Sequence, residues 1–402
     1  MSMSGGGRVA AIIAEYNPFH NGHAYHLTET RRLTGADTVV VIMSGNFVQR
    51  GECAICDKFT RTRMALAGGA DLVLELPLPF ACAGAETFAR GGVALADALG
   101  CVDTLSFGME CGDVSSLMKA ADAVSDDAVK PLLAEKLAEG RNFAAARTQA
   151  VRMLYGDDIA SLLCLPNNTL AVEYIRALRQ MMSPIRPLGV LRSGAAHDAP
   201  AAAGDFASAT AVRDMLRKDD GAVRRYLPAA SRELLDAAAE KGSAPADLKL
   251  CERAVLSRLR SMTREQMALL PDVSEGLENR LYTCVKTAAS LEELYAAVKS
   301  KRYSHARIRR IILSAFLGIR ATHTQTVPYL RILGMNARGR ALLANVRPKL
   351  PVISSYKHTA SLSPEAQNLY RLECHADDLW GLMTPSVQPC GADMTARLIV
   401  ES

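Results

Sequence analysis

The chain has 402 residues, 49% hydrophobic and 22% charged, with 47 Lys and Arg against 42 Asp and Glu and a formal net charge of +5. That length exceeds one ordinary core, so two domains are expected in a globular, soluble and only mildly basic protein. No apolar run approaches a membrane span, and Met1 to Gly7 lack the basic start and apolar body of a secretory signal. A cytoplasmic protein is therefore expected, its ten cysteines reduced and mostly buried.

Val9 to Ala14 is an apolar run of the length of one buried strand. Glu15, Tyr16 and Asn17 break the pattern, and Pro18 pushes Asn17 towards an extended conformation. From His20 a helix is expected, with Leu27 and Leu33 turned inward. His20 and His23, separated by Asn21 and Gly22, therefore sit where a first strand hands over to a first helix. Gly22 allows a close approach. The amides of a helix start attract anions, phosphate above all, and two imidazoles there donate to phosphate oxygens as charge builds in a transition state. His26 reads as a packing residue.

Thr38 to Met43 is a second strand, followed by the loop Ser44 to Gly51 at its carboxyl end, the edge where open parallel sheets bind ligands. Cys53 and Cys56 have the spacing of a metal or redox pair, but no second pair accompanies them, so free thiols are expected. Asp57 to Ala67 is a helix carrying Lys58, Arg61 and Arg63. Leu72 to Leu76 is a third strand, Ala81 to Leu99 a helix, and Val102 to Phe107 a fourth strand, with Gly108 opening the next loop. This alternation predicts an α/β fold with a Rossmann-like, doubly wound, mostly parallel sheet.

A helical insertion is expected at about 114–165, then a helix from Pro166-Asn167-Asn168 and a fifth extended run ending at Leu191, with Arg192-Ser193-Gly194-Ala195 at its carboxyl end. Ser208 to Arg213 reads as another helix start: Ser208 caps it, the free amides plus Arg213 make a second anion site, and Ser208 and Thr210 are expected to contact ATP. Residues 1–217 are read as the catalytic domain and 218–402 as a mostly α-helical, basic domain in which strands fade. No Asp or Glu lies between Leu294 and Pro364, whereas Lys301, Arg302, Arg307, Arg309 and Arg310 do, with Tyr303, Phe316, Tyr329 and Tyr356 interleaved. Such a stretch suits a phosphate backbone with stacked, unpaired bases. The alternative is a basic face that salt-bridges to acids elsewhere.

The segments Ile12 to His23, Met43 to Glu52, Gly69 to Pro77, Leu105 to Glu110 and Lys301-Arg302-Tyr303 together resemble the tRNA(Met) cytidine acetate ligase family, a branch of the HIGH-type nucleotidyltransferases. The resemblance implies that ATP and acetate form acetyl-adenylate. The acetyl group then passes to N4 of the wobble cytidine of elongator tRNA(Met). It also implies ATP contacts at Ala11, Ile12, Ile13, Ala14, Glu15, Tyr16, Asn17, Pro18, Phe19, His20, Asn21, Gly22 and His23, at Gly108, at Asn167 or Asn168, and at Arg192. His20 and His23 would stabilise the transition state, with Arg213 or Lys58 as further cationic help and Mg2+ expected on the triphosphate. Two positions depart from the family pattern: Cys53 stands where proline is usual and Gly84 where serine is usual. The alternatives are an adenylyltransferase that builds a dinucleotide cofactor, or a non-catalytic RNA-binding protein with a relic nucleotide site.

Overall fold

The computed structural model describes residues 7–110, 112–192 and 206–401, so the expected loop Ser193-Gly194-Ala195 lies outside the described residues. The first half runs β1 (Val9–Ala14), α1 (Asn21–Thr34), β2 (Thr38–Ser44), a short antiparallel hairpin of β3 (Phe47–Val48) and β4 (Glu52–Cys53), α2 (Lys58–Ala67), β5 (Leu72–Leu76), α3 (Leu78–Ala81), α4 (Ala85–Leu99) and β6 (Thr104–Met109). Then come α5 (Val114–Ser125), α6 (Val129–Ala138), α7 (Phe143–Leu162), α8 (Pro166–Gln180), β7 (Arg186–Leu191) and α9 (Ala209–Arg217). Gly108 thus lies inside a strand, not in the loop after it.

β1 is central because it pairs in parallel with β2 on one side and β6 on the other. The chain winds outward through β2 and β5 in one direction and through β6 and β7 in the other. The carboxyl end of β1 is therefore the point where the winding reverses, the usual ligand crevice of such sheets. Alternation of side chains sorts the strands onto two cores. Val9, Ala11, Val40 and Ile42 pack with Leu95 of α4 and Val172 of α8. Ala10, Ile12, Val39 and Val41 pack with Leu27 of α1 and Met64 of α2. The inserted helices cover the first face through Leu117, Ala120 and Val151.

Leu33 is a correction: it is 46% exposed. Leu27 and Thr30 define the buried stripe of α1, and six residues beyond Leu27 the helix has turned about 240°, off that stripe.

The second half is mostly helical, with α10 (Ala229–Glu240), α11 (Glu252–Arg260), α12 (Arg264–Ala268), α13 (Leu277–Thr287), α14 (Leu291–Val298) and α15 (His305–Leu317). Leu259, Leu281, Leu294 and Ile312 centre a separate core that also takes in Phe47 and Cys53 of the hairpin. Strands do not fade for good beyond Lys218. β8 (Leu330–Met335) returns to pair antiparallel with β5. After α16 (Ala337–Asn345) come β9 (Val352–Ile353), α17 (Pro364–Trp380), α18 (Ala392–Thr395) and β10 (Ile399–Val400), with β9 and β10 parallel to β8. The sheet order is β10-β8-β5-β2-β1-β6-β7, with β9 also on β8. Residues expected in a separate helical domain thus complete the sheet of the first.

Candidate active site

The loop from β1 to α1 is held tightly. Tyr16 has φ +48°, a region a bulky side chain rarely adopts, and its ring packs 4.9 Å from Phe19 and 4.8 Å from His23. His20 caps α1: its Nδ1 accepts from the Gly22 N–H at 3.0 Å, while His23 Nδ1 accepts from the His20 N–H at 3.2 Å. A ring nitrogen that accepts carries no proton, so each neutral imidazole keeps its proton on Nε2. The two rings stack with centroids 3.7 Å apart.

Their electrostatics agree with that tautomer. Burial, with Arg192 and Arg213 nearby, pushes His20 down to about 3, and burial with His20 beside it holds His23 well below its ordinary value. The pair is therefore two neutral imidazoles at a helix start, with the His23 ring N–H also shared with the Pro18 backbone. His26 packs as expected, its Nε2 3.0 Å from Ser106 Oγ, and burial lowers it to about 4.

Unfolded imidazoles titrate near 6.5, whereas folded His20 and His26 stay neutral until about 3 and about 4. The unfolded chain then binds more protons across that window, so stability falls as pH drops below about 6.5. Melts at about pH 7.5 and about pH 5.5 check this, with a smaller drop expected for His26→Gln. Gly22 has its own constraint, because an added Cβ would lie 2.9 Å from His20 Cε1. Gly22→Ala is expected to push that ring aside and lower turnover about tenfold, with little change in melting temperature, as misplacement of a catalytic donor does.

Arg213 is buried and donates to Asn17 O at 3.1 Å and Thr210 Oγ1 at 3.3 Å. Ser208 caps its helix by accepting from the Ala211 N–H. Arg213, expected in the second anion site, is thus tied directly to the first loop. On the other flank, Arg192 donates to Asn167 Oδ1 at 3.0 Å, and a Cβ on Gly108 would lie 3.5 Å from Arg192 Cγ. Asn167 also donates to Glu110 Oε1, whereas Asn168 is fully buried and accepts from the Glu110 N–H. Of the two asparagines, Asn167 is therefore the one beside Arg192.

Lys58 is a correction. Its ammonium is fully buried, 2.9 Å from Glu75, 2.7 Å from Asp377 and 2.9 Å from Asp393. Three carboxylates occupy it, so it is a structural cation and not help for a phosphate. Sequence reading missed Arg61, which donates to the carbonyls of Cys56, Glu15, Ser44 and Gly45 and so ties together the carboxyl ends of β1 and β2. A signal was present: Arg61, Met64 and Ala65 share one buried helical stripe.

The basic stretch is also largely committed. Arg302 pairs with Glu275, Arg309 with Glu52 and Arg310 with Asp272, while Arg307 donates to Asp272 O. Lys301 is exposed. Tyr303, Phe316 and Tyr329 are core residues and offer no stacking surface; Tyr356 is exposed. Cys53 and Cys56 are buried, and burial pushes both thiols up to about 12. No helix among the described residues is long and apolar enough to cross a membrane.

A mostly parallel sheet whose winding reverses at a loop bearing paired histidines defines the class of HIGH-type nucleotidyltransferases. The family model for HIGH nucleotidyl transferase matches residues 7–393. The chain is 40% identical to a tRNA(Met) cytidine acetate ligase of Caldicellulosiruptor saccharolyticus, covering 93% of this chain and 94% of that protein. It is 35% identical to one from Acetivibrio thermocellus, covering 98% and 100%. A crystal structure of Thermotoga maritima TmcAL bound with alpha-thio ATP superposes with a TM-score of 0.90 at 33% identity, covering 98% of this chain and 100% of that one. The apo form of the same protein gives 0.91 at 34% identity, covering 98% and 99%. The chain belongs to the tRNA(Met) cytidine acetate ligase family.

Proposed function

We propose that this protein activates acetate with ATP as acetyl-adenylate and acetylates N4 of the wobble cytidine of elongator tRNA(Met), in the cytoplasm. The observation that carries the reading is the stacked pair of neutral imidazoles at the start of α1, in a chain alike from end to end to acetate ligases. An acetate oxygen attacks the α-phosphorus, the bond to the bridging oxygen breaks, and pyrophosphate leaves. Charge grows on the phosphate oxygens, where the Nε2–H groups of His20 and His23 would donate, with Arg213 and Arg192 on either flank. The cytidine amine then attacks the acetyl carbonyl and AMP leaves.

Among the described residues no group of three His, Cys, Asp or Glu is arranged to hold a metal ion. The described residues thus offer no such cage for Mg2+, and no step here runs through the ion. The stretch Ala11 to His23, with Gly108, Asn167, Arg192, Ser208 and Thr210, is the surface we assign to ATP. Lys301 and the outer faces of Arg302, Arg307, Arg309 and Arg310 are assigned to the RNA.

The test is mass spectrometry of tRNA nucleosides after incubation with ATP and labelled acetate. Labelled N4-acetylcytidine is expected. Pyrophosphate exchange driven by another small acid and not by acetate would overturn the substrate.

A further inference from the structure

Acyl transfer to an aromatic amine needs a base, and the histidine pair cannot be it. Both Nδ1 atoms accept backbone N–H groups and both Nε2 atoms carry protons, so neither ring has a lone pair to offer. Of the carboxylates near the carboxyl ends of the strands, Glu75 is paired with Lys58 and Arg331. Glu52 is paired with Arg309 at 2.7 Å and lies 3.6 Å from Arg213. Glu110 is held by the side chain and backbone of Asn167.

Glu15 differs. It directly follows β1 at the reversal point, and its backbone carbonyl is fixed by Arg61. Its carboxylate lies in the field of Arg213, the same guanidinium that acts on His20. One carboxylate oxygen accepts the Gln49 N–H at 3.0 Å; among the described residues the other takes no hydrogen bond, and no Lys or Arg pairs with it. Burial raises its affinity for a proton, against the opposing pull of Arg213.

We propose, resting on the function proposed above, that Glu15 is the general base of the transfer step. The cytidine N4 attacks the acetyl carbon and a C–N bond forms. The C–O bond to the phosphate breaks, and AMP leaves with that electron pair. The amine proton passes to the unbonded oxygen of Glu15.

The two half-reactions separate the outcomes. Acetate-dependent ATP–pyrophosphate exchange reads adenylation; transfer of labelled acetate to tRNA in a single turnover reads the second step. In Glu15→Gln, transfer is expected to fall about 10²- to 10⁴-fold further than exchange does, and the wild-type rise of transfer with pH is expected to disappear. Glu15→Asp, which keeps a carboxylate and serves equally if the glutamine variant folds poorly, should retain more transfer than Glu15→Gln and a pH-dependent rise. Equal losses in exchange and transfer, or a glutamine variant with the wild-type pH profile, would overturn the proposal. Wild-type protein that shows no acetate-dependent exchange would sink the functional reading instead.

Discussion

His20→Ala and His23→Ala each lower acetate-dependent pyrophosphate exchange by about 10²- to 10³-fold, the usual cost of removing one donor aimed at developing charge. The geometry makes the two rings one unit. The rings stack 3.7 Å apart, and His23 also holds the His20 backbone N–H, so removing either ring takes away a packing partner of the other. The double variant is therefore expected to lose less than the product of the single losses. His20→Ala also removes a helix cap, costing about 1 kcal/mol. His20→Asn restores a capping acceptor without the stacked ring; it should recover stability but not rate. Exchange that survives in both alanine variants would leave the histidines as packing residues.

Lys58→Met lowers the unfolding free energy by about 3–5 kcal/mol, because removing one partner of a buried ion cluster strands the rest. Glu75 and Asp393 would then share Arg331, which lies 3.2 Å from Glu75 and 2.5 Å from Asp393, while Asp377 would keep the Asn46 amide at 2.9 Å and no paired cation among the described residues. Urea unfolding measures the loss, and the fraction that remains folded should still exchange pyrophosphate. If folded Lys58→Met is inactive, the cation reaches the nucleotide after all. The same cluster responds to acid. Burial pushes the Asp393 carboxyl up, but Lys58 and Arg331 together hold it well below the usual range. Its contribution is therefore fully present above the unfolded value near 3.8 and is lost as pH falls through the folded one.

The first half of the fold was legible because strands buried on both faces must be apolar throughout, and Val9–Ala14, Thr38–Ser44 and Leu72–Leu76 are nearly so. The histidine pair could be read because a strand, a polar loop and a helix start follow one another without a gap. β8 was hidden because its pattern is broken by Arg331, a charge made acceptable only by Glu75 and Asp393, which lie far away in the chain. Lys58 was misread for the same reason: its three carboxylates come from β5, α17 and α18. The interleaved tyrosines looked like stacking groups because spacing alone does not show burial: Tyr303 and Tyr329, in the segments leading into α15 and β8, turn into the core. The choice between Asn167 and Asn168 needed the positions of Arg192 and Glu110.

The antiparallel insertion of β8 beside β5 bears on how the chain matures on the ribosome. Until residues near 330 and beyond have left the exit tunnel, β5 is an open border with unsatisfied amides and carbonyls, and Lys58 lacks Asp377 and Asp393. Synthesis of more than half the chain therefore passes with a sticky flank that invites a chaperone or an unwanted neighbour. Truncations before β8 should aggregate rather than persist as a working nucleotide-binding half.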